Sequence, residues 1–278
     1  MIRIVTDSTC DLPAELIAQH RIGVVPLYIN LEGRGYLDGV DISREEFYRK
    51  LPHCNPAPTT AVASPERFRQ VYESLAQQGA REILSIHISP TLTAVLDAAR
   101  LAAQATRSIP VTVFDSRQLS LGTGFLVETA AKAAAAGDSM GEIITKLEDQ
   151  IKRSHVFAAL DTLEFLKRSG RMNGTVSAMG SLLQVKPILR MFDGKPTAER
   201  VRTRGRAMLR LLEMIHEVGR LERAAIVHTH ALERVVELRE KAAHLLPAEG
   251  ILSMDITPVI GAHIGPGAIG FACVAADR

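Results

Sequence analysis

His263 stands in a stretch with almost no other bulk: Gly261-Ala262-His263-Ile264-Gly265-Pro266-Gly267-Ala268-Ile269-Gly270. Glycines such as Gly265 and Gly267 let a backbone approach a ligand closely and take positive φ at little cost, and Pro266 stiffens the same loop. An imidazole beside exposed backbone N–H groups would clamp an anion; the simpler reading is a tight strand-to-strand turn whose His faces water. Small hydroxyl and acidic residues form a second set. Asp7 and Ser8, then Ser89, Thr91 and Thr93, then Asp115 and Ser116 each follow a short apolar run. Helix N-termini carry orphan N–H groups and partial positive charge, so residues 89–93 form a seat for a carboxylate or phosphate, where simple N-capping is the ordinary use of such residues. Thr60 lies in Pro58-Thr59-Thr60-Ala61-Val62-Ala63-Ser64-Pro65, a segment whose hydroxyls could close a pocket.

These groups converge only if the elements between them place them on one edge. Residues 2–5, 82–88, 111–114 and 155–160 read as strands, and residues 22–30 as a further one, β-branched throughout. Helices read over 14–20 (N-capped by Asp11), 44–51, 65–78, 93–106, 124–136 and 140–153, and residues 53–64 read as a loop. Strands alternating with helices imply βαβ units and a largely parallel sheet, in which ligands bind beyond the carboxyl ends of the strands. Past residue 160 the pattern changes: Asp193-Gly194 between two extended runs is a hairpin signal, and helices over 205–220 and 232–245 with closing strands complete a mixed α+β half. The expected architecture is α/β with two domains, a doubly wound, largely parallel sheet over 1–153 and a mixed α+β domain over 154–278, with the ligand between them.

Composition narrows the function. The chain has 278 residues, 46% hydrophobic and 23% charged, with a net charge of +2, which leaves no nucleic-acid or membrane footprint. Three isolated cysteines, Cys10, Cys54 and Cys273, fit a reducing compartment rather than a disulfide framework. With no signal-peptide pattern and no spanning segment, the expected location is cytoplasmic. His228 and His230, two apart at a strand end, would share a face and could hold a metal, but no third ligand accompanies them, and a structural role is the plainer reading. Lys167, Arg168, Arg171, Arg202, Arg204, Arg206 and Arg210 make a dense basic set, either a solvated face or a dock for an acidic partner. Neither a nucleotide-binding motif nor a hydrolase elbow is present.

Taken in order, the motifs resemble the DegV family of bacterial fatty-acid-binding proteins across nearly the whole chain. The similar pieces are Thr6-Asp7-Ser8-Thr9 with Asp11-Leu12-Pro13, Pro26-Leu27-Tyr28, Asp41-Ile42-Ser43, Phe114-Asp115-Ser116, residues 166–171, Lys186-Pro187-Ile188-Leu189, Val201-Arg202-Thr203 and His263-Ile264-Gly265-Pro266-Gly267. The resemblance implies two α/β domains of the EDD type with a fatty acid between them and no other cofactor. It implies that Thr60, Thr93 and His263 hold the carboxylate, that Arg171 lies at the pocket mouth, and that Ser89, Asp7, Ser8, Ser116, Gly265 and Gly267 support the pocket. It further implies a lipid-loading subunit without catalysis of its own, presenting the carboxylate to an ATP-dependent fatty acid kinase. The chain departs from the family pattern at Ala61 and Val62 after Thr60, at Pro90, and at Ala94 and Val95 after Thr93, which implies a head-group site that is drier, tuned to another ligand, or weaker.

Magnitudes favour a lipid over a small polar acid. A hydrogen bond to a charged group contributes roughly 1.5–3 kcal/mol, whereas about fourteen buried methylenes at ~0.8 kcal/mol each supply on the order of 10 kcal/mol before association costs. The alternative is an enzyme acting on a small phosphorylated or carboxylated metabolite with His263 as base or nucleophile, since a helix N-terminus suits phosphate equally well.

Overall fold

A computed structural model describes residues 1–171, 185–247 and 251–277 of the chain; Met172-Asn173-Gly174, the end of the basic glycine-punctuated segment, lies outside them. Strand β1 (Ile2–Asp7) pairs in parallel with β2 (Gly23–Val25) and with β6 (Glu82–His87), and β6 in parallel with β7 (Val111–Asp115), giving the order β2-β1-β6-β7. Successive strand residues point to opposite faces. Val5, Val25 and Ile83 therefore pack under α3 (Pro65–Gln77) and α4 (Val95–Ala105), while Ile4, Leu84 and Ile86 pack under α5 (Ser120–Ala136). Helices cover both faces, as the alternating pattern implies.

The second sheet runs β10-β9-β8-β13-β11-β12. Its strands are β8 (Ser154–Ala159), β9 (Lys186–Phe192), β10 (Lys195–Val201), β11 (Leu221–His228), β12 (Leu252–Asp255) and β13 (Ile269–Ala275). Only β11 and β12 pair in parallel. The hairpin between β9 and β10 turns on Asp193 and Gly194, both at positive φ, as Asp-Gly requires in a tight hairpin. The two faces of this sheet differ in bulk. Phe157, Phe271, Ile226 and Ile188 pack on α8 (Arg204–Val218) and α9 (Leu232–Ala242). Val156, Met191, Ala225, Val227 and Ala272 look the other way, toward α5.

Helix α5 is thus shared by both sheets and buried nearly all round. It begins at Ser120, four residues before the expected start, because Gly122 and Gly124 lie inside it. A Cβ on Gly124 would sit 2.4 Å from the carbonyl oxygen of Cys10, and one on Gly122 would sit 2.6 Å from Val156 Cγ2. The helix tolerates two glycines, at about 1 kcal/mol each relative to alanine, since only they admit both neighbours.

A small antiparallel sheet, β4-β3-β5, was not legible in advance. Residues 22–30 form two strands, since Pro26 ends β2 before β3 (Tyr28–Leu31) begins; β4 (Arg34–Leu37) returns beside it. The segment read as a loop over 53–64 contains β5 (Thr59–Ala61), which pairs Ile29 with Thr60. Ser43 caps α2 (Arg44–Lys50) and Ser139 with Glu142 forms a capping box on α6 (Met140–Ile151). Asp11 does not cap α1 (Ala14–Gln19); its carboxylate is used elsewhere. Finally, the glycine-rich stretch is not a loop between strands. Pro258 starts a helix, α10 (Pro258–Ile264), and His263 sits in its last turn.

Candidate functional site

Edge strand β5 carries Thr60 against α10, and there Thr60 Oγ1 lies 2.9 Å from His263 Nε2. The two residues are 203 positions apart and meet because the small sheet leans on the helix. Burial, and after it the charge of Arg171, lower the His263 pKa to about 4. The imidazole is therefore neutral at neutral pH, with one N–H. Its Nδ1 is buried and has no partner among the described residues, an orphan that normally demands explanation. When Nε2 accepts from the Thr60 hydroxyl, the proton sits on Nδ1 and makes it a donor.

Both residues line a cavity of about 300 Å3 between the two large sheets, within the usual range of roughly 300–1,000 Å3 for ligand sites. Its walls are mainly aliphatic: Leu27, Ile88 and Leu119 on one side, Val156, Leu189 and Met191 on the other, Val259 and Ile260 from α10. Thr93 and Arg171 line it too, and Thr91, Gly170 and Arg171 are exposed as well, so the cavity opens to solvent there. Arg171 follows α7 (Glu164–Arg168). Of the expected residues, then, Thr60, Thr93, His263 and Arg171 line one cavity.

The residues expected to support the pocket do not line it. Ser89 is buried and bonds Thr91 Oγ1 at 2.9 Å, and Ser8 accepts from the N–H of Leu27 at 3.2 Å. Ser116 bonds Thr123 at 2.9 Å inside the core. Asp7 is fully buried, accepting from Thr9 and from His87 Nδ1 at 2.8 Å. The backbone cradle expected of the glycines is absent for a simple reason: their N–H groups are spent within the protein. Gly265 donates to Gly261 and Gly267 to the carbonyl of Thr229, each at 2.8 Å. These glycines serve packing, since a Cβ at Gly265 would strike the Phe165 ring at 2.2 Å and one at Gly267 the Asp161 carboxylate at 2.6 Å, both at positive φ. Residues 89–93 do not cap α4 either, whose N-cap, Ala94, has no side-chain bond.

Sequence reasoning missed the anchor of α10. The N–H of Thr257 donates to Asp11 Oδ1 at 2.8 Å, and the Thr257 hydroxyl donates to Asp38. Asp11 also accepts from Arg44 at 3.1 Å and from Ser120, itself a cavity residue, at 2.6 Å. Burial raises the Asp11 pKa to about 6, against the opposing pull of Arg44, Ser120 and Thr257. Tyr48 completes the anchor by donating to the Ile256 carbonyl at 2.8 Å. The sequence trace of this anchor is the Asp of Asp11-Leu12-Pro13, which reads there as a helix cap. His228 and His230 do not share a face: His228 ends β11 with Nδ1 3.6 Å from Asp255, while His230 lies beyond the strand at positive φ, exposed, its ring stacked toward Tyr48. Among the described residues no group of three or more His, Cys, Asp or Glu could hold a metal, and no helix is long and apolar enough to cross a membrane.

Known proteins resemble this chain over nearly its whole length. Residues 1–276 match the DegV family, described as uncharacterised proteins. A DegV domain-containing protein of Listeria innocua is 33% identical, covering 97% of this chain and 96% of its own; one from Streptomyces coelicolor is 34% identical, with 97% and 96% covered. Among solved structures, a DegV family protein from Thermus thermophilus described for its fatty acid binding superposes with a TM-score of 0.90 at 36% identity, 99% of each chain covered. DegV from Bacillus subtilis, described as a fatty acid binding protein, gives 0.89 at 30% identity, with 98% of this chain and 99% of its own covered. The two-sheet fold and the order of motifs along the chain are therefore those of the DegV family, to which this protein belongs.

Proposed function

We propose that the protein binds a long-chain fatty acid, with the tail in the cavity between the sheets and the carboxylate at Thr60, Thr93 and His263. The observation that carries this reading is the Thr60–His263 pair on the wall of a mainly aliphatic cavity, with a buried Nδ1 that has no partner among the described residues. A carboxylate supplies the acceptor that an Nδ1–H requires, and Arg171 adds positive charge at the opening. The aliphatic walls supply the affinity, at ~0.8 kcal/mol per methylene, and the polar end supplies the direction. The fatty-acid-binding descriptions of the Thermus and Bacillus proteins support the ligand class.

In this reading the chain has no catalysis of its own and works in the cytoplasm. It shows the carboxylate to a separate ATP-dependent kinase subunit. There a carboxylate oxygen attacks the γ-phosphorus of ATP, the bond to ADP breaks, and an acyl phosphate forms. Native mass spectrometry of the purified protein, followed by lipid extraction, should find one acyl chain per polypeptide. A protein that carries none and takes up none from fatty-acid solution removes the proposal. Hydroxylamine trapping with a fatty acid kinase subunit and ATP tests the second step separately; acyl hydroxamate should appear only when all three components are present.

A further inference from the structure

A second cleft, of about 650 Å3, lies on the face of the six-stranded sheet turned away from α5. Lys152 and Arg153 after α6, the end of α8 and the C-terminal residues Ala276 and Asp277 form its rim. Its floor is a stack on β8 and β9. His155 and Phe192 are a directly opposed cross-strand pair with ring centroids 4.5 Å apart and planes 7° from parallel. The Arg190 guanidinium lies 5.4 Å from the Phe192 centroid and donates to His155 Nδ1 at 3.1 Å. An imidazole that accepts at Nδ1 carries its proton on Nε2, and burial followed by the charge of Arg190 keeps it neutral, with the pKa lowered to about 4.

Arg190 is thus held in place by aromatic and neutral groups. Glu199, its pKa lowered by the bond from Arg210 and then by the Arg190 charge, is held by Arg210 at 2.8 Å; among the described residues no carboxylate forms an ion pair with Arg190, and its Nε is buried without a partner. A buried N–H with nothing to donate to costs free energy until an acceptor arrives. Lys152 and Arg220, also on the lining, have no carboxylate partner among the described residues either. The two carboxylates that line the cleft are engaged: Glu217 by Arg210 at 2.6 Å, and Asp277 by Arg153 at 3.0 Å. Three cations are therefore left lining one concavity, which suits a tetrahedral oxyanion better than a lone lysine would.

We propose that this cleft is a binding site for a phosphate-type oxyanion, gripped by Arg190 and closed over by Lys152 and Arg220. The site does not rest on the acyl-binding reading, although Phe157 and Arg190 line both this cleft and the cavity between the sheets. The test is titration of the full chain with inorganic phosphate and with phenyl phosphate at low ionic strength, read by calorimetry and by the His155 ring resonances. Saturable one-to-one binding that moves those resonances is expected, with Arg190→Gln weakening it by about tenfold or more, the loss of one charge-assisted contact. Lys152→Gln with Arg220→Gln, at the rim where folding is not at stake, should weaken it several-fold and flatten its salt dependence. Tighter binding of phenyl phosphate assigns an aryl or nucleotide-like ester as the ligand; equal binding assigns free phosphate. Heat that never saturates, or binding unchanged by the rim substitutions, overturns the site.

Discussion

Two imidazoles in this protein each bond to a hydroxyl, and only one lies on a cavity. His87 bonds Asp7 through Nδ1 at 2.8 Å and Ser85 through Nε2 at 2.7 Å, and Ser85 bonds Tyr72 at 2.9 Å. That acid–imidazole–hydroxyl order is the one a serine nucleophile uses. Yet all four side chains are fully buried, Phe68 sits edge-on to the imidazole at 5.3 Å, and none of the four lines the cavity. His263 has the poorer array, one threonine and an orphan nitrogen, but it stands on the wall of a cavity. A satisfied polar network closed to solvent holds a fold together. An unsatisfied one at a cavity wall marks where a ligand's atoms belong. Access and unmet hydrogen-bonding capacity, rather than the types of residue assembled, separate a site from a structural cluster.

The largest effect expected from this contrast is on stability. Burial pushes the Asp7 pKa up, but the bonds from His87 and Thr9 outweigh it and leave it lowered, so the carboxylate is well compensated where it stands. Asp7→Ala removes that partner from a buried network and should cost about 3–5 kcal/mol, read as the shift in urea unfolding free energy. A loss below about 1 kcal/mol would make the His87 cluster dispensable and erase the distinction. His263→Ala should do the opposite. Its unfolding free energy should stay close to that of the wild type, while fatty acid affinity falls roughly 10- to 100-fold, the equivalent of one hydrogen bond to a charged group. Thr60→Val should give a smaller loss, about 3- to 10-fold. Combined with His263→Ala it should add little, because the hydroxyl acts by fixing the imidazole. Additive losses in that double-mutant cycle would mean that the two groups meet the ligand separately.

How far the sequence carries this contrast is seen in particular residues. Alternating strands and helices give the parallel sheet, and Asp193-Gly194 gives the hairpin, because those signals are local. Thr60 was readable as a hydroxyl but not as a strand residue, since a three-residue edge strand has no periodicity to detect and depends on pairing with β3. Gly265 and Gly267 looked like a backbone cradle, and only coordinates reveal that Gly261 and Thr229 already take their N–H groups. Asp11 was assigned to the nearest helix, whereas its partners Arg44, Ser120 and Thr257 lie 33, 109 and 246 residues away. Asp7 and His87, 80 residues apart, give no hint in sequence that they meet. Short-range chemistry is legible in advance, while the question of which groups are satisfied is a property of the assembled molecule.

A further effect is expected on the pH dependence of stability, and it tests whether the His263 imidazole is as dry as its surroundings imply. Its pKa in the folded protein is about 4, below the ~6.5 of a free histidine. Between those values the unfolded chain takes up a proton that the folded chain refuses, so stability falls as the pH drops from about 6.5 toward 4. Asp11 works in the other direction: its folded pKa of about 6 lies above its ordinary value of 3.8, so the folded state takes up the proton first and gains stability over about pH 6 to 4. These two slopes oppose each other, and His155, also lowered to about 4, adds to the loss on acidification. His263→Gln removes one destabilising slope and should flatten the profile between pH 6.5 and 4.5. Asp11→Asn removes the opposing slope and should steepen it. Urea unfolding at half-unit steps resolves the two changes. If His263→Gln leaves the profile unchanged while Asp11→Asn steepens it, the His263 ring is solvated in the folded protein, and its resemblance to a buried, unsatisfied donor fails.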